Sequence, residues 1–121
     1  MKRSSFVMGA LGALSLGASA PNCAMAHGYL VHSFPAAKMH LAQSPHHVRM
    51  LFSLRTDAHY SIVRLEDEKG SVLAIRTQPK TSRGFDMDVP PLAPGRYHLR
   101  YRMLSTDGDL IQGGLDFIVD E

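Results

Sequence analysis

The stretch that most constrains the fold is the last third of the chain, residues 91–119, which reads as one long β-hairpin. Its first arm alternates apolar or aromatic side chains with basic ones: Tyr97, Leu99, Tyr101 and Met103 against Arg96, His98, Arg100 and Arg102. This alternation is the period of a strand with one buried and one solvated face. The second arm repeats the pattern more weakly, with Leu115, Phe117 and Val119. The Asp107-Gly108 pair between the arms is typical of a turn.

The residues around the start of this hairpin indicate a sandwich of two sheets. Leu92, Pro94, Gly95 and Tyr97 form an L-x-P-G-x-Y pattern. In immunoglobulin-like sandwiches, a tyrosine after such a turn bonds back to upstream backbone and closes a corner. Upstream, short strand-like segments at 27–33, 46–54, 60–66, 72–77 and 85–89 are separated by turn signals, with loops at 38–45, 55–59 and 78–83. We therefore predict an all-β, seven-stranded, immunoglobulin-like Greek-key β-sandwich or barrel.

The first 26 residues have the anatomy of a secretory signal peptide. Lys2 and Arg3 give a positive start, residues 6–16 form an apolar run, and Ala24-Met25-Ala26 is an A-x-A cleavage signal. The alternative, a membrane anchor, is disfavoured because a bilayer span takes roughly 20 apolar residues. We predict cleavage after Ala26, which leaves residues 27–121 as one exported domain without stable membrane insertion. The domain has no disulfide, because Cys23 leaves with the signal.

Composition argues against two classes of function. Loss of Lys2 and Arg3 reduces the 13 Lys and Arg residues to 11, equal to the 11 Asp and Glu. The basic charge of the whole chain is therefore partly a property of its leader, and nucleic-acid binding has no support. Residues 27–121 contain no thiol nucleophile, no Ser-His-Asp set with motif context and no phosphate-cradling glycine loop, so we predict no enzymatic activity.

Cleavage after Ala26 would make His27 the new N-terminus, which offers two nitrogens on one residue. The α-amine and the imidazole can chelate one metal ion, and an amine with a pKa of about 7.7 to 8.0 loses its proton readily to a competing metal. Nitrogen and oxygen donors in a flat arrangement suit Cu(II). The alternative is that His27 is simply the residue that follows the cut, and spacing alone leaves both open.

Several segments of the sequence resemble the CopC copper-resistance family. The run HGYLVHSFP from His27 is similar to the mature start of the family, and Leu51-Phe52-Ser53 is similar to its second strand. The run LAPGRY from Leu92 and the run STDGDLIQG from Ser105 resemble its L-x-P-G-x-Y and S-x-D-G-H-x-x-x-G motifs. The resemblance covers residues 27–120 in order. It implies a seven-stranded Greek-key protein of the periplasm that binds copper.

The resemblance also implies a ligand set. In the family, Cu(II) is held by the N-terminal amine and imidazole, an Asp, and a His two residues later. His27 and Asp107 match the first two, Asp109 stands where the family has His, and Leu54 stands where many members have a Glu. The scattered methionines do not form the Met-rich stretch of the family's Cu(I)-type site, and Met50 and Met103 fall on apolar strand faces, which favours core packing. Our candidate metal ligands are His27, Asp107 and Asp109. The alternative is that Asp107 is ordinary turn chemistry and Asp109 a solvated loop acid.

Two functions follow as expectations. The first is a periplasmic copper-binding protein of CopC type, which binds Cu(II) at its mature N-terminus and buffers or delivers it in copper resistance and homeostasis. The second is a CopC-like interaction module with a degenerate metal site, docking to an inner-membrane copper transporter or another envelope partner. Leu54 and Asp109 discriminate between the two, because both replacements weaken the metal site relative to the family pattern.

Overall fold

The computed structural model describes residues 28–121, which form eight β-strands and no helix. The strands are β1 (Leu30–Phe34), β2 (Met39–Leu41), β3 (His47–Thr56), β4 (Ile62–Asp67), β5 (Val72–Thr77), β6 (Ser82–Asp88), β7 (Gly95–Leu104) and β8 (Leu110–Val119). Within this range no helix is long and apolar enough to cross a membrane. The predicted signal peptide, its cleavage site and the candidate ligand His27 lie outside the described residues.

The strands form two sheets that share one core. The smaller sheet has the order β1-β3-β6, and the larger has the order β2-β8-β7-β4-β5. All pairs are antiparallel except β2 with β8. The long β7–β8 hairpin lies inside the larger sheet and pairs without a break from Gly95 with Val119 to Leu104 with Leu110. The predicted all-β sandwich is confirmed, with eight strands instead of seven.

The additional strand is β2, which lies where the sequence predicted a loop over 38–45. Met39 pairs with Phe117 and Leu41 with Val119 in parallel register. The loop prediction was wrong here because three residues are too few to display a period of two. Strand formation at this place depends on the open edge of β8, which offers unpaired backbone groups to any nearby segment.

Two strand boundaries differ from the predicted ones for a shared reason. β3 continues to Thr56, and β6 begins at Ser82, although both positions lie in stretches with loop composition. The two residues pair with each other, and the fully buried hydroxyl of Thr56 donates to Oε1 of Gln78 at 2.6 Å. Polar residues can lie inside the sandwich here because their polar groups find partners there.

The interior confirms the alternation of the hairpin and of β3. The residues that the alternation places inward are buried in β3, at Val48, Met50 and Phe52, and in β7, at Tyr97, Leu99 and Met103, whereas Tyr101 is half-buried. Across the two sheets, the ring of Phe52 meets that of Tyr101 edge-on, with centroids 5.5 Å apart. Within the larger sheet, Tyr97 stacks on Phe117 at 5.6 Å. Such aromatic pairs add about 0.5–1.5 kcal/mol to the free energy gained by burying their area.

The corner predicted from the L-x-P-G-x-Y pattern is present. The hydroxyl of Tyr97 donates a hydrogen bond to the backbone carbonyl of Ala93. The residue is only 6% exposed. Burial raises the pKa of the Tyr97 phenol above its ordinary value of 10.0, so the phenol keeps the proton that it donates. The corner therefore fixes the entry of β7, the strand that leads to the candidate site.

We expect Tyr97→Phe to lower the free energy of unfolding by about 1 kcal/mol, because the Ala93 carbonyl loses its donor while the ring can still stack on Phe117. Urea unfolding followed by circular dichroism measures the change. Tyr60→Phe is the matched control, since Tyr60 is 69% exposed. Equal stability of the Tyr97 variant and the parent would mean that the hydroxyl does not hold the corner.

Candidate metal site at the β7–β8 turn

The two candidate carboxylates that the structure describes lie together in the turn between β7 and β8. Asp107 is exposed and Asp109 is half-buried. The hydroxyl oxygen of Ser105 accepts a hydrogen bond from the backbone N–H of Asp107 at 3.2 Å and from that of Asp109 at 3.0 Å. The N–H of Ser105 donates in return to the carbonyl of Asp109 at 2.8 Å. One buried side chain thus sets the backbone of both acidic residues.

The turn is held from the neighbouring loops as well. The N–H of Thr106 donates to the carbonyl of Arg55 at 3.0 Å, and the N–H of Asp57 donates to the carbonyl of Leu104 at 2.7 Å. The hydroxyl of Ser61, which is fully buried, accepts from the N–H of Leu104 at 3.0 Å. These bonds join the β3–β4 connection to the base of the turn. The backbone that carries the carboxylates is therefore supported by the body of the sandwich.

The first described residue, Gly28, lies close to this turn. A Cβ atom on Gly28 would fall 2.2 Å from Cδ1 of Ile111 and 3.1 Å from Cδ1 of Leu54, so the backbone here packs directly on those two side chains. Ile111 lies in β8, two residues after Asp109. The next residue, Tyr29, exchanges hydrogen bonds with Ser53: its N–H reaches the serine hydroxyl at 2.9 Å, and its carbonyl accepts from the serine N–H at 2.9 Å.

The position of Gly28 bears directly on His27, the residue before it, whose contacts lie outside the described residues. Gly28 itself lies beside Ile111, the second residue of β8. Among residues 28–121 there is no group of three or more His, Cys, Asp or Glu side chains that could hold a metal ion.

The two histidines in the strands of the larger sheet contact acidic residues away from the turn. Nδ1 of His98 contacts Oδ1 of Asp116, and Nδ1 of His40 lies 3.0 Å from Oδ1 of Asp120. His98 is on β7 and His40 on β2, and neither belongs to the turn.

Leu54 is half-buried and packs on Gly28, so the side chain next to the first described residue is apolar.

Sequence reasoning missed two residues that shape this region, Ser105 and Gly28. A serine two residues before an aspartate is typical of a turn in which the hydroxyl accepts a downstream backbone N–H, so Ser105 had a readable signal. Gly28 had no such signal, because the lack of space for a side chain there is caused by Ile111 and Leu54, which are distant in sequence.

We expect Ser105→Ala to loosen the turn, because it removes the acceptor for the N–H groups of Asp107 and Asp109. The free energy of unfolding should fall by about 1 kcal/mol, and hydrogen exchange at those two amides should accelerate. Exchange measured by NMR and thermal unfolding are the readouts. Thr106→Ala is the control, since the exposed Thr106 supports the turn only through its backbone. Unchanged exchange in the Ser105 variant would contradict the role given to its hydroxyl.

Comparison with known proteins adds to this geometry. Residues 30–120 match the CopC domain. The chain belongs to the CopC family. It is similar to the crystal structure of CopC from Methylosinus trichosporium OB3b, with 34% identity, a TM-score of 0.72 and coverage of 78% of this chain and 94% of that one. It is also similar to PcoC, a methionine rich copper resistance protein from Escherichia coli, with 25% identity, a TM-score of 0.67 and coverage of 78% and 100%. Among curated proteins, YobA of Escherichia coli strain K12 is 25% identical over 98 residues, covering 78% of this chain and 79% of YobA.

Between residues 28 and 121 the methionines of this CopC-family chain do not form a surface stretch. Of the four methionines between residues 28 and 121, Met50, Met87 and Met103 are buried in the core, each at most 3% exposed. Their sulfur atoms pack among apolar side chains of both sheets, which is the usual role of scattered methionine. The expectation that Met50 and Met103 serve packing is confirmed.

Proposed function

We propose that this chain is a periplasmic copper-binding protein that holds Cu(II) at its processed N-terminus and buffers or delivers it in copper resistance and homeostasis. The family membership and the similarity to a CopC and to PcoC, a copper resistance protein, support the choice of metal. The proposed role is binding alone, with no catalysed reaction.

The observation that carries the proposal is the proximity of Gly28 to the β7–β8 turn. With processing after Ala26, His27 would contribute its α-amine and its imidazole next to the start of β8, and the turn would contribute Asp107 and Asp109. Two nitrogens and two carboxylate oxygens form a donor set that Cu(II) accepts, and Cu(II) stands at the top of the divalent affinity order. Copper here is cargo that the protein acquires and releases.

The same donor set fits Cu(II) less well than the family pattern does. Asp109 supplies a hard oxygen where the family has an imidazole nitrogen, and Leu54 brings no donor where many members have Glu. We therefore infer binding that is weaker than in a relative with the full pattern. Binding should also weaken as the pH falls, because protons compete with the metal for the amine and the imidazole of His27.

Export is part of the proposal, since the chelate exists only after cleavage. Intact-mass measurement of the protein recovered from the periplasm should give the mass of residues 27–121. A different start would remove the free amine from His27 and with it the proposed site.

The direct test is titration of the processed protein with Cu(II), followed by electron paramagnetic resonance. We expect one Cu(II) per chain with nitrogen hyperfine coupling, and a signal that disappears at acid pH. A protein that binds no Cu(II) at micromolar concentration would contradict the proposal.

We expect Asp109→His to tighten Cu(II) binding by about tenfold, because a nitrogen ligand replaces an oxygen at the position that the family uses. Competition against a chelator of known affinity measures the change. Glu68→His is the matched control, because it adds a histidine at an exposed position in the turn between β4 and β5, at the opposite end of the larger sheet. If the control tightens binding equally, an added surface histidine and not the site explains the effect.

The second candidate is an interaction module with a decayed metal site that docks to an inner-membrane copper transporter or another envelope partner. The observation that favours it is the pair of departures at Asp109 and Leu54. Absence of Cu(II) binding in correctly processed protein would select this function over the first.

A further inference from the structure

The outer face of the larger sheet carries a concentration of basic side chains, which we call the arginine face: Arg64, Arg96, Arg100 and Arg102. Arg64 lies on β4 and the other three lie on β7, where Arg100 and Arg102 are two residues apart and His98 stands between Arg96 and Arg100. Arg64 pairs with Arg100 across the two strands, and Ile62 pairs with Arg102. All four arginines are exposed, because the residues between them on both strands point into the core.

The acidic groups on this face do not balance the arginines. Glu66 forms salt bridges with both Arg64, at 2.6 Å, and Arg100, at 2.9 Å. The hydrogen bond from Arg100 holds the pKa of the Glu66 carboxyl below its ordinary 4.5, so Glu66 carries one negative charge against two positive ones. Asp116 is engaged by His98. Among residues 28–121 no salt bridge involves Arg96 or Arg102, so positive charge remains available on this face although the numbers of basic and acidic residues in this range are equal.

The arginine face is concave. Three of its guanidinium groups, from Arg64, Arg100 and Arg102, line a depression of about 420 Å³ together with Gln112, and Gly113 and Gly114 form part of its lining. The floor of the depression lies at the level of the β8 backbone, because the glycines of β8 have no side chain to fill it. A Cβ on Gly114 would fall 2.9 Å from the backbone carbonyl oxygen of Leu99, so a side chain at this position would require the backbone to move.

We propose that the arginine face is a docking surface for an acidic, extended segment of a partner protein. Guanidinium groups bind carboxylates in a bidentate, planar manner, and arginines at alternate positions of one strand match the two-residue repeat of an extended chain. A flat lipid surface fits less well, because Arg64 and Arg100 are held against Glu66 in the walls of a depression. The inference uses no metal ligand and stands independently of copper binding.

The arginine face extends along β7 towards the turn that carries the candidate ligands. Arg102 precedes the end of β7 by two residues, and β7 leads directly into the turn that carries Asp107 and Asp109. A segment lying along the arginine face would therefore bring its partner to the end of the sandwich that carries the turn.

The test is an NMR titration of the metal-free, processed protein with an acetylated peptide of alternating glutamate and alanine. We expect shift changes at amides of β4, β7 and β8 on the arginine face, and weaker binding at high salt, as expected for exposed charges. Arg102→Gln should reduce the affinity about fivefold, since one exposed charge pair is lost. Arg49→Gln is the matched control: Arg49 is also exposed, on the outer face of the smaller sheet, where it pairs with Asp86 at 3.1 Å.

A second arm uses vesicles of phosphatidylglycerol and phosphatidylcholine in a sedimentation assay. Binding to the anionic vesicles that depends on Arg102, without binding of the peptide, would overturn the proposal in favour of a membrane surface. Absence of peptide binding, shift changes away from the arginine face, or equal weakening by Arg49→Gln and Arg102→Gln would also overturn it. Peptide binding at this face that Arg102→Gln weakens and Arg49→Gln does not would support it. Because copper is absent throughout, these outcomes are separate from those of the metal titration.

Discussion

One additional glycine ahead of His27, itself N-acetylated so that no free terminal amine remains, is expected to remove most of the Cu(II) affinity of the processed protein. The extension converts the α-amine of His27 into an amide, so the two-nitrogen chelate on one residue is lost. Loss of a single outer-shell partner already costs 10–100-fold in metal affinity, and we expect a decrease of about 100-fold for loss of a primary ligand. Chelator competition measures the affinity, and electron paramagnetic resonance shows the change in nitrogen coupling.

The extension should leave the fold unchanged, because Gly28 and Tyr29 keep their contacts with Ile111, Leu54 and Ser53. Thermal unfolding without metal should therefore coincide for the two proteins. A matched control carries the additional glycine at the other terminus, after Glu121, and should bind Cu(II) like the parent. If the N-terminal extension leaves affinity and spectrum unaltered, the amine is not a ligand, and the interaction-module function takes precedence.

Phe52→Ala is expected to have the largest effect on stability, a loss of about 3–5 kcal/mol in the free energy of unfolding. Phe52 is 0% exposed and lies between the sheets, where its ring meets Tyr101 edge-on. Removal of the ring leaves a cavity that β-sheets cannot easily close, because the backbone ladders on both sides hold their spacing. Urea unfolding at a fixed temperature measures the loss. The domain has no disulfide to compensate for it if cleavage follows Ala26.

Leu51→Ala is the matched control for Phe52→Ala, since Leu51 is the preceding residue of the same strand and is 43% exposed on the other face. We expect it to cost less than about 1 kcal/mol. Equal losses for the two substitutions would contradict the assignment of inner and outer faces to β3.

Much of the fold could be predicted from the sequence because the strands of a sandwich are marked locally. Alternation along β7 assigned Leu99 and Met103 to the core and the arginines to solvent, and Val72–Thr77 was predicted with the bounds that the structure has. The corner tyrosine was predicted because its hydrogen bond reaches only to Ala93, a short distance along the chain. These features depend on the side-chain period and on nearby residues, which a sequence displays directly.

The candidate site could be predicted only in part. Asp107 and Asp109 were named from a motif, and the structure brings them together because they share one turn. His27 stays a prediction, since its contacts lie outside the described residues.

Tertiary structure alone decided where the supporting parts lie. Met39–Leu41 became β2 because the edge of β8 was open beside it, and Thr56 could be buried because Gln78 reaches its hydroxyl. Position 28 requires glycine because the side chains of Ile111 and Leu54, which come from other strands, leave no room for a Cβ atom. In each case the deciding partner is many residues away, and its approach depends on how two sheets pack. The sequence by itself therefore determined most of the strands and named the acidic candidate ligands, whereas packing between distant strands decided what surrounds them.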